Sequence, residues 1–369
     1  MGNLHFLPVF NNLSMNFLKD NHIRYRAMNK DIVVIGGGIA GTETALVLTG
    51  LGHRVTLLEK TDRTGGKLNQ WNHLFPDSRP AAEVNDFLRR SIAMRPFRIL
   101  TNITILKVSD DGEGFALETN SGKLNAGAVV ISTGFEIFDA SRKEEYGYTV
   151  YENVITSVDL EEMLRKGKDI KTSNGKTPRR IAFVHCVGSR DEKSGHHHCS
   201  KVCCITGVKQ AIELAKMNPE AEIFCFYMDL RMFGLPYEQL YRDAQEKYNI
   251  QFIRGRLSEA AENLDESLQI KAEDTLSGRP LKMNVEMMVL LTGMTAGRET
   301  TGMARLFGLD REPNGFLSVG DPHLHTNRSS VKGVFLAGTC TGPMTVDETL
   351  GHARSAALDV HEYLQSKPE

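Results

Sequence analysis

Short apolar runs, separated by glycine-rich turns and amphipathic stretches, divide this chain into buried strands and the helices that connect them. The runs Asp31–Ile35 and Arg54–Leu58 predict two buried strands, and the stretch between them predicts a helix over residues 42–51. A second group of runs predicts strands at 181–187, 222–227 and 250–253 and a helix at 238–248. Strands that alternate with helices are typical of α/β folds built on parallel sheets.

The remaining pattern suggests how the chain is divided into domains. Residues 96–108 and 115–120 predict strands, and Asn120-Ser121-Gly122 predicts a hairpin turn after the second one. The polar segment 166–179 reads as a linker and predicts a boundary near residue 172. The apolar run Val285–Thr292 predicts a strand that returns the chain to the first domain. The predicted units are an extension at 1–28 without a signal peptide pattern, a first domain at 29–172 and 285–369, and a second domain at 173–284.

A glycine motif follows the first predicted strand and opens the first helix. Gly36 permits a tight turn, Gly38 lets the backbone approach a pyrophosphate, and Gly41 allows close packing of the helix on the strand. Glu59 ends the next strand, where a carboxylate accepts hydrogen bonds from ribose hydroxyls. A GxGxxG motif with both strands, the helix and the acid predicts a dinucleotide site.

Four of the six cysteines are concentrated between positions 186 and 204, at Cys186, Cys199, Cys203 and Cys204. Cys186 lies near the end of a predicted strand, and residues 200–217 have the apolar spacing of a helix. If Cys199 begins that helix, it shares a face with Cys203, four residues later. The strand end and the helix start would then bring four thiols together.

The spacing of these cysteines narrows the kinds of site they can form. Zinc sites usually contain paired CxxC or Cys/His elements, which this stretch lacks. Thiolates also hold iron–sulfur clusters, and a helix N-terminus stabilises the negative charge of a cluster. The alternative is a set of buried free thiols. The concentration of four thiols favours a metal or a cluster.

Composition and charge exclude several classes of function. The chain has 369 residues, a net charge of −2 and 24% charged residues, so we expect two domains and no nucleic-acid partner. Its apolar runs are too short to span a membrane. Six cysteines in a chain of this length indicate ligand or redox roles in a reducing cytoplasm.

From Asp31 onward the chain resembles the two-dinucleotide-binding flavoproteins. The resemblance rests on Gly65-Gly66-Lys67 after Glu59, on Val129–Phe135, and on Gly338 in the run GVFLAGTCTG, where Thr339 replaces the usual Asp. Thr345 and Glu348 predict a capping box at the start of the last helix, which in this family points at the flavin ring. The implied FAD contacts are Gly36, Gly38, Gly41, Glu59, Lys60, Gly65, Gly66, Lys67, Gly134, Gly338, Thr339, Thr345 and Val346.

More specifically, residues 31–364 resemble the A-type flavoprotein subunit of heterodisulfide reductase. The motifs are HCVGSRDE at 185–192, CSKVCC at 199–204 and GTCTGPMTVDETL at 338–350. The resemblance implies that Cys186, Cys199, Cys203 and Cys204 bind a [4Fe–4S] cluster, and that Lys209 lies near the flavin N5 edge. A solvated lysine on the helix surface is the alternative for Lys209.

The chain departs from the full-length family pattern in several places. It lacks a CxxCxxCxxxC run and is similar to short forms in sulfur-oxidising heterodisulfide-reductase-like complexes and in the quinone-interacting oxidoreductase of sulfate reducers. Its second domain carries the cysteines where a reductase would place a second GxGxxG, and residues 74–83 contain no cysteine. We expect His196–His198 to face solvent, and Cys225 and Cys340 to be buried core thiols.

These features predict a two-dinucleotide-binding α/β fold, like that of thioredoxin reductase, with an FAD domain and a degenerate second nucleotide domain. The predicted function is electron transfer between FAD and a [4Fe–4S] cluster in a sulfur-metabolism complex, with partners similar to heterodisulfide reductase subunits B and C and a homodimeric arrangement. One alternative is a disulfide or persulfide reductase that uses Cys199 and Cys203, or the vicinal pair Cys203–Cys204, as redox thiols. Another is a flavin-bearing scaffold.

Overall fold

The computed structural model describes residues 31–110, 112 and 114–366, and the predicted extension at 1–28 lies outside these ranges. The strands are β1 Ile32–Ile35, β2 Val55–Leu58, β3 His73–Leu74, β4 Arg79–Pro80, β5 Arg98–Leu100, β6 Ile105–Asp110, β7 Phe115–Thr119, β8 Gly122–Ala126, β9 Ala128–Ile131, β10 Phe135–Ile137, β11 Val154–Thr156, β12 Arg180–Val187, β13 Glu222–Tyr227, β14 Gln251–Arg254, β15 Leu257–Glu262, β16 Leu268–Asp274, β17 Arg279–Val285, β18 Met287–Thr292, β19 Met294–Ala296 and β20 Val334–Leu336. The α-helices are α1 Ile39–Gly50, α2 Ala81–Met94, α3 Ser157–Arg165, α4 Cys203–Met217, α5 Leu235–Glu246, α6 Arg298–Phe307 and α7 Val346–Ser366.

The first sheet carries the glycine motif. Its order is β20-β9-β1-β2-β5, and all of its pairs are parallel. Strand β1 is fully buried because α1 and α7 pack on one face of the sheet, while the β6-β7-β8 sheet and α6 contribute to the core on the other. This arrangement explains why β1 reads as a continuous apolar run rather than an alternating one.

The second sheet carries the cysteines. Its order is β11-β18-β12-β13-β14, again with parallel pairs. Helices α3, α4 and α5 pack on one face, and the antiparallel β15-β16-β17 sheet covers the other. An antiparallel ribbon of β10 and β19 runs between the two sheets.

The second sheet corrects the predicted domain boundaries. Strands β11 and β18 lie outside the predicted range 173–284, yet β18 pairs with both β11 and β12. The sheet therefore extends from Val154 to Thr292, and the chain returns to the first sheet only after β19. The sequence could not show this, because a buried parallel strand has the same apolar pattern in either sheet.

Several predicted elements also differ in detail. The predicted strand 96–108 is two strands in different sheets, separated by Asn102 at φ 57°. Helix α1 begins at Ile39 rather than at 42, directly after Gly38. Helix α4 begins at Cys203 rather than at 200, because Lys201 adopts a left-handed conformation with φ 61°. Strand β13 and the β7–β8 hairpin match the prediction.

Candidate functional site

The glycine motif forms a sharp turn between β1 and α1. Gly36 has φ 107°, and a Cβ there would lie 2.4 Å from the Ser132 carbonyl oxygen. A Cβ at Gly41 would lie 1.9 Å from the Gly36 carbonyl oxygen, so this glycine is required for packing. A Cβ at Gly38 would meet nothing within 4 Å among the described residues. Gly38 therefore opens space in front of the turn, as pyrophosphate binding requires.

The carboxylate of Glu59 is tied to this turn. It accepts hydrogen bonds from the Gly37 backbone N–H at 2.7 Å, and from the Thr61 backbone N–H and hydroxyl at 2.7 Å each. Glu59 is buried, and its position at the end of β2 places it beside the glycine turn. This is the position from which an acid contacts a nucleotide ribose.

A cavity of about 540 Å³, hereafter the dinucleotide cavity, extends from the glycine turn to the start of α7. The predicted contacts that line it are Gly36, Gly38, Glu59, Gly66, Lys67, Gly134, Thr339, Thr345 and Val346. Thr61, Trp71, Thr133 and Met344 also line it and were missed, because no sequence motif marks them.

The other predicted contacts do not line this cavity in the described part of the chain: they are Gly41, Lys60, Gly65 and Gly338. Lys60 instead forms an ion pair with Glu299 at the surface. Gly338, at φ 74°, packs against Ala40, where an added Cβ would lie 2.6 Å away. These glycines shape the backbone around the cavity rather than forming its wall.

The start of α7 faces the dinucleotide cavity and is capped as predicted. Glu348 accepts a hydrogen bond from the Thr345 backbone N–H at 2.9 Å, and Thr345 Oγ1 accepts one from the Glu348 N–H at 3.4 Å. Thr345 and Val346 both line the cavity. The first turn of a long helix thus directs its partial positive charge at this space.

Three of the four clustered thiols meet at the end of β12 and the start of α4. Cys186, Cys203 and Cys204 are buried and interact with each other, and none of them forms a disulfide. Cys186 has φ 61° at an irregularity in the pairing of β12 with β18. A strained conformation of this kind re-aims the side chain toward α4. The thiols occupy the loop between strand and helix, where a second dinucleotide turn would stand.

Cys199 occupies a different position from the one predicted. It precedes α4 and cannot share a helix face with Cys203. Its Sγ accepts a hydrogen bond from the Lys201 backbone N–H at 3.3 Å. The side chain of the next residue, Ser200, accepts one from the Met294 N–H at 2.7 Å, which holds the loop against β19. Cys199 therefore approaches from a loop.

The electrostatic surroundings favour negative charge on these sulfur atoms. Interaction with Cys203 lowers the pKa of Cys186 to about 7 and also lowers the pKa of Cys204, while it raises that of Cys203 itself. The Arg190 guanidinium interacts with Cys186 and Cys199. His185 is buried behind the thiols. Although burial lowers its pKa, interactions with Cys204 and Cys225 raise it to about 10. Two cations thus stand beside the thiols.

Buried contacts hold the loop that carries Cys199. Asp191 pairs with Lys143 at 2.8 Å, and both side chains are buried. The prediction that His196–His198 face solvent is wrong for two of the three. His196 packs edge-on against Phe138, and His198 against Phe316, so only His197 is exposed. The aromatic partners are distant in sequence, which is why no local pattern predicted these contacts.

The two remaining cysteines are core thiols, as predicted. Cys225 is fully buried in β13. Cys340 donates a hydrogen bond to the Ile131 carbonyl oxygen at 3.3 Å, and burial raises its pKa to about 12.

A second cavity of about 110 Å³, hereafter the apolar cavity, lies between the dinucleotide cavity and the thiols. Cys203 forms part of its wall. The residues that line both cavities are Trp71, Phe135, Met344, Thr345 and Val346. Gln210 Oε1 and Thr292 Oγ1 belong to residues of this wall and have no hydrogen-bond partner among the described residues. A planar ring with polar edges fits an apolar space with two such unpaired atoms.

Lys209 also lines the apolar cavity, and the alternative of a solvated lysine is wrong. Its side chain is 3% exposed, and Nζ lies 2.9 Å from both carboxylate oxygens of Glu161. Glu213 Oε2 lies 3.2 Å away, at an ion-pair distance without a well-aligned hydrogen bond. Sequence analysis missed Glu161 and Glu213, because neither lies in a recognisable motif.

The donor set fits the two predicted cofactors to different degrees. The glycine turn, Glu59 and the capped start of α7 form a complete cradle for a dinucleotide. The thiols supply the soft ligands of an iron–sulfur cluster. However, no group of three or more His, Cys, Asp or Glu side chains in the described residues is placed to hold a metal ion. Among the described helices, none combines the length and the apolar character needed to cross a membrane.

Comparison with known proteins agrees with this geometry. Residues 11–161 match the family model described as pyridine nucleotide-disulphide oxidoreductase, which implies FAD. The structure superimposes on thioredoxin reductase from T. acidophilum with a TM-score of 0.64 at 19% identity, covering 91% of this chain and all of that one. For thioredoxin reductase from Lactococcus lactis the TM-score is 0.63 at 14% identity, covering 92% of this chain and all of that one. The predicted fold class is therefore confirmed.

Curated relatives give a more specific likeness. The chain is 40% identical over 255 residues to the first A-type iron–sulfur subunit of CoB–CoM heterodisulfide reductase from Methanopyrus kandleri, which covers 66% of this chain and 38% of that protein. It is 27% identical to the A-type subunit of ferredoxin:CoB–CoM heterodisulfide reductase from Methanosarcina mazei, over 94% of this chain and 55% of that one. The chain thus spans only about two fifths to about half of the length of these relatives. It is therefore similar to the A-type subunits of heterodisulfide reductase and carries an oxidoreductase domain of the two-dinucleotide-binding flavoprotein fold, as its sequence predicts.

Proposed function

We propose that the chain is an electron-transfer subunit that holds FAD and a [4Fe–4S] cluster in a heterodisulfide-reductase-like complex of sulfur metabolism. One observation carries the proposal: Cys203 belongs both to the group of interacting thiols and to the wall of the apolar cavity, which adjoins the dinucleotide cavity. Two cofactor sites that share a wall suit electron transfer from one to the other.

The residues of the chain divide the work between the two sites. Gly38, Glu59 and the start of α7 would hold FAD, and Cys186, Cys199, Cys203 and Cys204 would hold the cluster. When bound, FAD supplies two-electron chemistry and the cluster one-electron chemistry. The apolar walls formed by Phe135 and Met344 exclude water from the shared space. Arg190 and His185 offset the negative charge that four thiolates would place there.

The proposal includes partners. An electron-transfer protein of this kind passes electrons to another iron–sulfur protein, and the names of the curated relatives describe them as single subunits of larger reductases. We propose partners similar to heterodisulfide reductase subunits B and C, a homodimer within the complex, and a cytoplasmic location. Co-purification from the native host would identify the partners directly.

Iron and acid-labile sulfide analysis of anaerobically purified protein tests the central claim. We expect about four irons per chain together with bound FAD. Cys203→Ser should lose most of the iron, whereas Cys340→Ser should keep it. Cys340 is a matched control because it is also buried but packs under the first sheet, where a hydroxyl can donate to Ile131 as the thiol does.

Other outcomes would support the alternatives. Wild-type protein with FAD, no iron and one disulfide per chain would contradict the cluster and favour the thiol enzyme. Bleaching of the flavin by NADH or NADPH in the isolated chain would contradict the absence of a second nucleotide site.

A further inference from the structure

Lys209 belongs to a line of buried titratable side chains that leads from the apolar cavity to the surface. Its Nζ lies 2.9 Å from Glu161 and 3.2 Å from Glu213 Oε2. Glu213 Oε1 in turn lies 2.8 Å from His73 Nδ1. Exposure of the side chains rises along this line, from 3% for Lys209 to 10% for Glu213 and 36% for His73. The line is therefore closed at the cavity end and open to solvent at His73.

A third cavity of about 320 Å³, the surface cavity, receives the outer end of this line. His73 and Glu213 line it, together with the charged residues Lys168, Asp169 and Lys216. His73 also lines the apolar cavity, so the two cavities are separated only by the residues of the line. Solvent can thus reach His73 without entering the apolar cavity.

The charge of the group favours a mobile proton. One ammonium, on Lys209, faces two buried carboxylates, on Glu161 and Glu213. Hydrogen bonds to Glu161 from Gln210 at 2.8 Å and from the Asn72 backbone N–H at 2.9 Å offset part of its charge. Glu213 has only His73 and Lys209 as partners in the described residues. Burying it as an anion is expensive, so a proton shared with His73 is the cheapest compensation.

The backbone keeps this arrangement in place. Lys209 Nζ donates to the His73 carbonyl oxygen at 3.0 Å, which fixes β3 against α4. The imidazole of His73 is therefore held at Glu213 by the same residue that ends the line.

We propose that His73, Glu213 and Lys209 form a proton path from the surface cavity to the apolar cavity; the proposal rests on the proposed function, in which a flavin ring occupies the shared wall. Two-electron reduction of a flavin to its anionic form takes up one proton. The reductant supplies both electrons. An N–H bond of Lys209 breaks as the proton passes to the ring nitrogen that accepts it. Lys209 regains a proton from Glu213, Glu213 from His73, and His73 from solvent, so one proton is taken up in total.

Proton uptake during flavin reduction tests the path. Full-length protein is mixed with dithionite in weak buffer that contains a pH-indicator dye, and dye and flavin absorbance are followed together. We expect His73→Gln to slow proton uptake on the order of 10²-fold, with the amplitude unchanged, because a relay alters rate and not equilibrium. Added imidazole should restore the rate. Glu213→Gln should also be slow, but imidazole should not restore it. His323→Gln, an exposed histidine in a distant loop, is the matched control and should behave as wild type.

The outcomes separate this proposal from the proposed function. Wild-type uptake rates in both His73→Gln and Glu213→Gln, at normal FAD content, would overturn the path and leave the proposed function standing. Absence of bound FAD from the wild-type protein would overturn both.

Discussion

The Lys201 ammonium forms an ion pair with the carboxylate of Glu348. Lys201 lies two residues after Cys199, and Glu348 lies in the first turn of α7, so the contact joins the thiol loop to the helix that faces the dinucleotide cavity. Both side chains are about one-third exposed, and an ion pair of this kind stabilises a protein by less than about 1 kcal/mol. Its effect is to fix the distance between the two candidate cofactor sites rather than to hold the fold together.

Two glycines of the dinucleotide motif should respond differently to the same substitution. Gly38→Ala should leave the fold intact and weaken FAD binding at least about tenfold, or about 1.4 kcal/mol, because the new Cβ projects into the open space of the cavity. Gly41→Ala should destabilise the apoprotein itself by about 1–3 kcal/mol or more, because its Cβ would overlap the Gly36 carbonyl oxygen. FAD titration and urea unfolding of the apoprotein measure the two effects. Equal loss of stability in both variants would contradict the assignment.

The buried pair between Asp191 and Lys143 should anchor the thiol loop. Asp191→Asn leaves the Lys143 ammonium poorly compensated and should lower the free energy of unfolding by about 3–5 kcal/mol. Glu145→Gln removes the other partner of Lys143, which is one-third exposed, and should cost less than about 1 kcal/mol. Denaturant unfolding of both variants gives the comparison. A small effect of Asp191→Asn would mean that the loop is held by its other contacts.

Burial of Lys209 between two carboxylates should make its removal costly. Lys209→Met should destabilise the protein by about 3–5 kcal/mol, because it leaves Glu161 and Glu213 without their cation. The double variant Lys209→Met/Glu161→Gln should recover at least about 1 kcal/mol, since the second change removes one of the stranded charges. A double-mutant cycle from urea unfolding measures the coupling. Additive losses in the two substitutions would contradict a direct pairing.

The contact between His53 and His361 should make stability depend on pH. His53 Nε2 lies 2.8 Å from His361 Nδ1, and burial together with His361 lowers the pKa of His53. Above the unfolded-state pKa of about 6.5 both states are neutral and this stability is fully present. As the pH falls through that value toward the lower folded-state pKa, the unfolded state binds the proton first, and stability is lost.

The prediction is a melting temperature that decreases from pH 7.5 to pH 5 in the wild type and decreases less in His53→Gln. His323→Gln, which removes an exposed histidine, should keep the wild-type dependence. Parallel pH profiles for wild type and His53→Gln would show that another group controls this range.

Local signals in the sequence were sufficient for the dinucleotide cradle. The glycine turn, Glu59 and the capping box at Thr345 are made by residues close together in the chain or by a motif with fixed spacing, so their geometry follows from the residue types. The strand and helix at Cys186 and Cys203 were predicted for the same reason. Cys199 was misplaced by one helical turn, because the left-handed backbone at Lys201 leaves no apolar pattern to read.

Contacts between distant segments were out of reach. Lys209 is 48 positions from Glu161 and 136 from His73, and a charged residue on a helix gives no sign of which partners will cover it. The assignment of β11 and β18 to the second sheet failed for a related reason: an apolar strand is equally suited to either sheet.

The sequence by itself determined the α/β class, the dinucleotide turn, the grouping of Cys186, Cys203 and Cys204, and the likeness to a flavoprotein family, because each depends on short-range spacing. Only the tertiary structure decided that the thiols share a wall with the flavin-side cavity and that Lys209 is buried among Glu161, Glu213 and His73. Those relationships depend on how two parallel sheets and their helices pack, and packing joins residues whose separation along the chain carries no signal.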